Sequence, residues 1–456
     1  MPQICFTRES SDRQEMYFAE MQRRKDSLSS TALNEIAEDL IPEKEGELID
    51  NLANNVIDEL IHLGLLIETY TESHDGPDID FNESYVNLCV VEVDEVEFLA
   101  EAANLPVRAI IHHYGNNIPP PDFKTLQIRS LFLDSLFGFS RAYMETICKL
   151  QYLLVLSLDG DLGEGLPDEV GDLFNLRYLR LSSLEMDELP QTLGNLQNLQ
   201  TLDIDNSEEG IRVPSGIGTL KSLLTLGDVY AGGVTASELS SLTQLQQLSV
   251  FSVSEDNSTQ LFAAITKMEN LVSLSLQADE WDSFHSSVLD LESFSPPSSI
   301  KHLSLCGALV EMPAWLASME NLTVLHLNNS NLLEPPAPTL QFLPKLKVLH
   351  IDGAYKVRCI GKEFCDAGGF PKLEKLTFSD EDILVEWTEI ARGAFLSLRE
   401  LEFWSCPKLR FLPEGLQNIS SLQVLNLYDT HMELERRLLG EESYKIKHIS
   451  KVNINR

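Results

Sequence analysis

Between Leu131 and Ile454 the chain repeats one hydrophobic phrase fourteen times, an apolar residue followed two places on by another. A further apolar residue stands three positions ahead of each pair, as in LFNLRYLRL, LQNLQTLDI, MENLTVLHL, LPKLKVLHI and FLSLRELEF. The leading positions are Leu131, Leu156, Leu179, Leu202, Leu226, Leu248, Leu274, Leu303, Leu325, Leu349, Leu376, Leu401, Leu425 and Val452, with successive leaders 22 to 29 residues apart. Within one unit, period-two alternation puts Leu179 and Leu181 on the buried side of a strand and turns Tyr178, Arg180 and Ser182 outward. Leu173 and Leu176 come from the preceding segment to fill the same core.

That phrase at that period is the signature of a leucine-rich repeat, each unit supplying one short strand and a return segment. Burying one such leucine is worth roughly 1.5–3 kcal/mol, but a single unit cannot cover its own apolar side, so stability comes from stacking on neighbours. The expected fold class is α/β, a leucine-rich-repeat solenoid shaped as a horseshoe with parallel strands on the concave face. Proline soon after a strand, at Pro167, Pro190, Pro214, Pro313 and Pro413, suits the turn off the sheet, because it fixes φ and lacks a donor. Gly171, Gly194 and Gly218 follow four residues after three of these prolines and fit a tight bend or a helical turn on the convex side.

The N-terminal third reads differently. Residues 13–40 carry Leu28, Ala32, Ile36 and Leu40 at helical spacing, and Leu48, Leu52, Val56 and Leu60 mark one face of a second helix. Gly64 is a terminator, Leu65-Leu66-Ile67 a short strand, and 71–78 a turn-rich acidic linker. The expected organisation is a helical, partly disordered segment at 1–30, a small winged-helix-like unit with its linker at 31–100, and the repeats at 107–456.

Hydrophobic content of 43% supports a substantial core, and the longest apolar runs fall short of the ~18 residues that span a bilayer. Seven cysteines form no C-x-x-C pair, which reads as reduced thiols, and the first residues have no uninterrupted apolar core, so the expected compartment is cytoplasmic. Net charge is −37, from 71 acidic and 34 basic residues. Such a field repels nucleic acid and anionic membranes and favours a basic partner.

Three stretches carry a family resemblance. They are 36–46 with 58–66, then Leu220 to Leu226 followed by Val229-Tyr230, and a C-terminal run with Phe370-Pro371-Lys372-Leu373, Glu386-Trp387, Gly393-Ala394-Phe395, Cys406-Pro407-Lys408-Leu409 and Leu412-Pro413-Glu414-Gly415-Leu416. In these the chain resembles the plant nucleotide-binding, leucine-rich-repeat disease-resistance proteins of the coiled-coil class. The resemblance implies recognition in defence. It does not extend to the family's phosphate loop, because G-x-x-x-x-G-K-[ST] is absent from this sequence; the sole Gly-Lys pair, Gly361-Lys362, precedes Glu363. Where the family's Met-His-Asp sensor should fall, the chain reads Phe81-Asn82-Glu83. A truncated relative without the nucleotide-binding module is expected, with no bound cofactor.

Exposed aromatics with arginine beside them anchor protein interfaces. The candidate partner-binding residues on the concave face are therefore Tyr178, Phe251, Trp404 and Tyr428, with Arg180, Asp203 and Asp205 for orientation, and His326 and His350 on the same face. Phe251 and Trp404 either anchor a partner or pack on their own flanking loops. Strand stacking should make neighbours of His326 and His350, and of Arg180 and Asp203. Two histidines without a third ligand make a poor metal site, so no metal is expected. The long returns holding Trp281, Phe284 and His285, and Trp387, are further candidates. No motif of a nucleophile, base and orienting group appears, and no catalysis is expected. The expected function is recognition of a pathogen effector, a guarded host protein or a partner receptor. The alternatives are a scaffold or ubiquitin-ligase substrate adaptor, and a regulatory or nonfunctional truncated paralogue.

Overall fold

The computed structural model describes strands at 66–69, 78–81, 90–92, 106–112 and 127–134, then residues 141–455 apart from 161–164, 183–185, 206–209, 283–284, 310 and 335. The helices expected within 13–40 and 48–62 lie outside the described residues. All fourteen leading positions fall in strands, and Leu179, Leu325 and Leu425 are fully buried.

The chain divides into two compact units, Met1–Ser182 with Asn198–Thr201, and Ser183–Gln197 with Leu202–Arg456. In the first, Leu66–Thr69 pairs antiparallel with Asp78–Phe81, so the strand expected at 65–67 is one arm of a two-stranded sheet. Separately, Val90–Glu92, Pro106–His112, Gln127–Asp134, Val155–Asp159 and Tyr178–Ser182 form a parallel series. The repeat ladder thus begins ahead of Leu131.

In the second unit, parallel strands run from residues 202–205 through Thr225–Tyr230, Gln247–Val253, Ser273–Ala278, His302–Cys306, Val324–Asn328, Val348–Asp352, Lys375–Ser379, Glu400–Cys406, Val424–Thr430 and Lys451–Asn455. Leader faces leader throughout His302–Asn455, as in Leu303↔Leu325, Leu349↔Leu376 and Leu401↔Leu425. One insertion comes at Gly227-Asp228, where Leu248 faces Leu226 but Val250 faces Val229, and a second lies between Val250, which faces Leu276, and Val253, which faces Ala278. In the first, Asp228 is the extra residue and adopts φ +30°, a bulge.

Two ladders beside the sheet keep the repeats in step. The carbonyl two residues before each leader accepts N–H groups from the next repeat, as Lys301 O does from Thr323 (2.8 Å) and Val324 (3.0 Å), and Arg399 O from Gln423 (2.8 Å) and Val424 (2.9 Å). Four residues before the leader a small polar side chain reaches back to the previous repeat's backbone. Asn175 Nδ2 donates to Gln151 O (2.8 Å), Asn321 Nδ2 to Ser298 O (2.9 Å) and Ser397 Oγ to Pro371 O (2.7 Å). Without them those lead-in carbonyls would be buried with fewer partners.

The returns carry short 3-10 turns, three of them led by a proline in the extended or near-extended region: Asp168–Asp172 after Pro167, Gln191–Asn195 after Pro190 and Ala314–Ser318 after Pro313. Gly194 and Gly218 sit inside such turns, for a reason other than the bend expected of them. A Cβ on Gly194 would stand 2.9 Å from Gly216 O, and one on Gly218 2.8 Å from Glu238 O. Neighbouring returns touch backbone to backbone there, and only glycine fits.

Toward the C-terminus aromatic rings replace leucines as filler. Phe378 stacks on Phe403 (5.4 Å, 8°) and Phe370 on Phe395 (5.3 Å, 6°), with Trp387 edge-on to Phe364, Phe378 and Phe395. Phe403→Ala should lower unfolding free energy by about 3–5 kcal/mol, while Phe342→Ala, 66% exposed, should change it by about 0.5 kcal/mol or less. Denaturant titration of the two variants measures the difference; equal losses would contradict the packed aromatic core.

Candidate protein-recognition face

Each strand offers side chains to the sheet face opposite the leucines, and the register sets who meets whom. The column at the strand start differs from expectation. Tyr178 is fully buried and packs with Leu154 and Val155, so it is no outward anchor. Leu154 O accepts N–H groups from Arg177 (2.8 Å) and Tyr178 (3.1 Å), which draws the first strand residue against the preceding repeat's lead-in. Thr201 and Thr225, at the same place in their repeats, are buried too. From Gln247 to Val424 the first residue of each ladder strand is half-buried instead, and Ser273–Ala278, His302–Cys306, Val324–Asn328 and Val348–Asp352 alternate from their first residue.

The middle column runs Ser275, Ser304, His326, His350, Thr377, Glu402, Asn426 and Asn453, each facing the next. His326 and His350 are neighbours as the spacing requires, rings 4.4 Å apart at 67°. Burial, with the His302 charge adding, pulls the His326 imidazole down to about 4. Among the described residues no group of three or more His, Cys, Asp or Glu is placed to hold a metal ion.

Farther along, the column closes into a buried polar network that alternation could not foresee. Thr377 Oγ1 donates to Glu402 Oε2 (3.0 Å), Asn426 Nδ2 to Glu402 Oε1 (2.6 Å) and Asn453 Nδ2 to Asn426 Oδ1 (2.7 Å). Lys375 Nζ lies 2.9 Å from Glu402 Oε2 and 3.2 Å from Glu400 Oε2. Burial opposes the Glu402 charge, yet the Lys375 ammonium and the Asn426 amide outweigh it and hold the carboxyl below the usual range. Thr377, Glu402 and Asn426 are nearly inaccessible; they bind one another and stiffen the sheet.

The third column runs Asn328, Asp352, Ser379, Trp404, Tyr428 and Asn455. The residue after each strand-end position turns left-handed, at Asn329, Gly353, Asp380, Ser405 and Asp429, and its N–H crosses to the next repeat where Asn329 meets Asp352 O (2.8 Å) and Asp380 meets Trp404 O (3.1 Å). This turn holds the column at the sheet margin. Trp404 and Tyr428 stack at 3.8 Å and 20° and are both half-buried. Phe251, also half-buried, faces Tyr230 across the ladder.

Arg180, half-buried, faces Ser157 in the first unit. Asp203 and Asp205 belong to the second unit, half-buried, near Asp228. Burial pushes Asp228 up to about 7, the Ser249 hydrogen bond (2.8 Å) opposing and the Asp205 and Asp203 charges adding. The Asp228 bulge had no sequence signal beyond a Gly-Asp pair between leader and Val229. Trp387 is a core residue, 1% exposed, so its ring is not offered to a partner; it is pinned by a two-residue strand, Glu386–Trp387, paired with Cys359–Ile360. In the same return Glu381 turns inward and accepts N–H groups from Ala354 (2.9 Å) and Tyr355 (3.0 Å). Residues Glu280–Asp282 pair with His285–Ser286; the side chains of Trp281, Phe284 and His285 lie outside the described residues.

A depressed imidazole has a defined consequence. The unfolded chain takes up a proton near 6.5 while folded His326 resists it until about 4, so its contribution to stability is complete above 6.5 and is lost as pH falls toward 4. NMR of the imidazole carbons should show His326 neutral at pH 5.5, and titration at the ordinary value would contradict its burial.

Residues 109–456 match the family model described as a leucine-rich repeat region. A putative disease resistance protein of Arabidopsis thaliana is 28% identical over 442 residues, 90% of this chain and 48% of that protein. From the same plant, RPP8-like protein 4, a probable disease resistance protein, is 33% identical over 338 residues, and disease resistance protein RPP8 is 30% identical over 335; each alignment covers 66% of this chain and 36% of the relative. The chain thus spans about half the length of the first and about a third of the others. A solved leucine-rich-repeat protein of Leptospira interrogans is similar with a TM-score of 0.46 at 19% identity, covering 79% of this chain and 99% of that one. Among the described residues no helix is long and apolar enough to cross a membrane. With 109–456 matched and every leader in a parallel strand, the chain belongs to the leucine-rich-repeat family.

Proposed function

We propose that this chain is a protein-recognition module of plant intracellular immunity, acting in the cytoplasm and gripping a pathogen effector, a guarded host protein or a partner receptor with its outer sheet face. The relatives' names support the defence setting. The observation that carries the recognition role is the Trp404–Tyr428 pair, stacked at 3.8 Å and half-exposed on a sheet whose neighbouring polar side chains are bonded to one another. Large amphipathic rings on a stiff support lose little freedom on binding and bury much surface, which is what interface anchors do. Phe251, Asp203 and Asp205 extend the same face of the second unit in this reading, and Arg180 is a candidate contact of the first unit. A repeat stack has no closed cleft to exclude water, and catalysis is no part of it.

The test is partner capture from plant extract by the full chain, against a Trp404→Ala/Tyr428→Ala variant whose thermal midpoint is checked. A control variant, Phe342→Ala/Leu396→Ala, removes two exposed side chains that are not on the sheet face. Capture by the first variant should fall at least about tenfold, ~1.4 kcal/mol, and the control should behave as wild type. If both variants retain the same partners at the same strength, the face is not the binding surface.

A further inference from the structure

The chemistry of the aromatic margin narrows the kind of partner. Along the third column Asp352 faces Ser379, Ser379 faces Trp404 and Trp404 faces Tyr428. Asp380, exposed and left-handed at φ +50°, is tied to the Trp404 backbone by its N–H to Trp404 O (3.1 Å). Asp429, exposed at φ +47°, follows Tyr428 directly. Exposed acidic residues thus stand next to both ring-bearing residues, Asp380 across the ladder from Trp404 and Asp429 directly after Tyr428. The Asp352 and Asp380 carboxyls crowd each other: burial first, then the Asp380 charge, pushes Asp352 up to about 6. The Lys356 charge eases Asp352 and lies 3.8 Å from Asp382.

We propose that the Trp404–Tyr428 surface, with Asp352, Asp380 and Asp429 at its rim, docks an arginine-bearing segment of the partner protein, the guanidinium lying flat on the rings and donating in its own plane to the carboxylates. This rests on the recognition reading above and specifies its chemistry. Arginine fits better than lysine, because a planar, weakly hydrated cation stacks on aromatic faces while its N–H fork reaches carboxylates at the edge. The chain uses the same contact within itself, with Arg212 5.2 Å over the Tyr230 ring and Arg437 4.7 Å over Phe411. An anionic or purely aliphatic segment would leave the carboxylates desolvated without a partner. The overall charge of −37 adds attraction at long range, so the test must separate this surface from that general field.

The probe is N-acetylated hexaarginine amide, titrated into the full chain at about 0.15 M salt, where charges are screened beyond about 8 Å; hexacitrulline is the neutral control. Calorimetry gives the affinity, and of the four tryptophans the part of the fluorescence change that Trp404→Leu removes reports Trp404. Hexaarginine should bind at one site and hexacitrulline should not. Trp404→Leu should weaken binding at least tenfold and remove the fluorescence change. Asp352→Asn/Asp380→Asn, which leaves the rings in place, should also weaken it at least tenfold. The charge-matched Glu311→Gln/Glu320→Gln, exposed residues on the returns, should stay within twofold of wild type. Equal losses in the two charge-removed variants, full affinity in Trp404→Leu, or no binding by wild type each overturn the proposal. If partner capture depends on Trp404 and Tyr428 while hexaarginine fails these tests, the face recognises other chemistry, and only the arginine assignment is lost.

Discussion

No repeat of this chain can bury its own leucines. Leu325 stands between Leu303 on one side and Leu349 on the other, each its partner in register. Removing water from one rung therefore requires the next, and the hydrophobic gain accrues per interface. The same dependence governs the backbone. Lead-in carbonyls such as Lys301 O and Arg399 O take two N–H groups from the following repeat, and Asn175, Asn321 and Ser397, four residues before their leaders, bond back to the previous one. Stability and register are thus one property, and a slip of one residue would expose the leucines and break both ladders.

That constraint decides what the outer face can be. Side chains on it are spaced about 4.8 Å apart by the strands and cannot move independently, so function is written in which residues fill consecutive places of a column. Where the places read Thr377, Glu402, Asn426, Asn453 they join to one another and offer little to a partner. Where they read Trp404, Tyr428 they stack and remain half-exposed. The left-handed residues at these strand ends, Asp380 and Asp429, are exposed and adjoin the ring-bearing residues along the backbone. Rigid support and an amphipathic surface come from the same repeat, one from its polar places and the other from its aromatic ones.

Much of this was legible from spacing. The leaders, the parallel register and the His326–His350 contact follow from period and alternation, since both are counted along the chain. What misled was the treatment of every outward place as equivalent. Tyr178 alternates like Arg180 but sits at the strand start, where the previous repeat covers it. Trp387 looked like a loop aromatic because its return is long and acidic; in fact the return folds back and the indole joins Phe364, Phe378 and Phe395. The C-terminal stretch that carries the family resemblance most specifically is, in its Phe370, Trp387 and Phe395, scaffold.

Taken alone, the sequence determines the repeat, its count of phrases, the buried rows and the side chains that compete for the outer face, because each is a matter of short-range periodicity. Only the tertiary structure decides which of those side chains remain available. Availability depends on contacts between residues about 25 positions apart, such as Glu402 with Thr377 and Asn426 or Asp352 with Asp380. Hydrogen bonding and burial act through space, and no local pattern records that Glu402 is bonded shut while Trp404, two residues on, stays half-exposed.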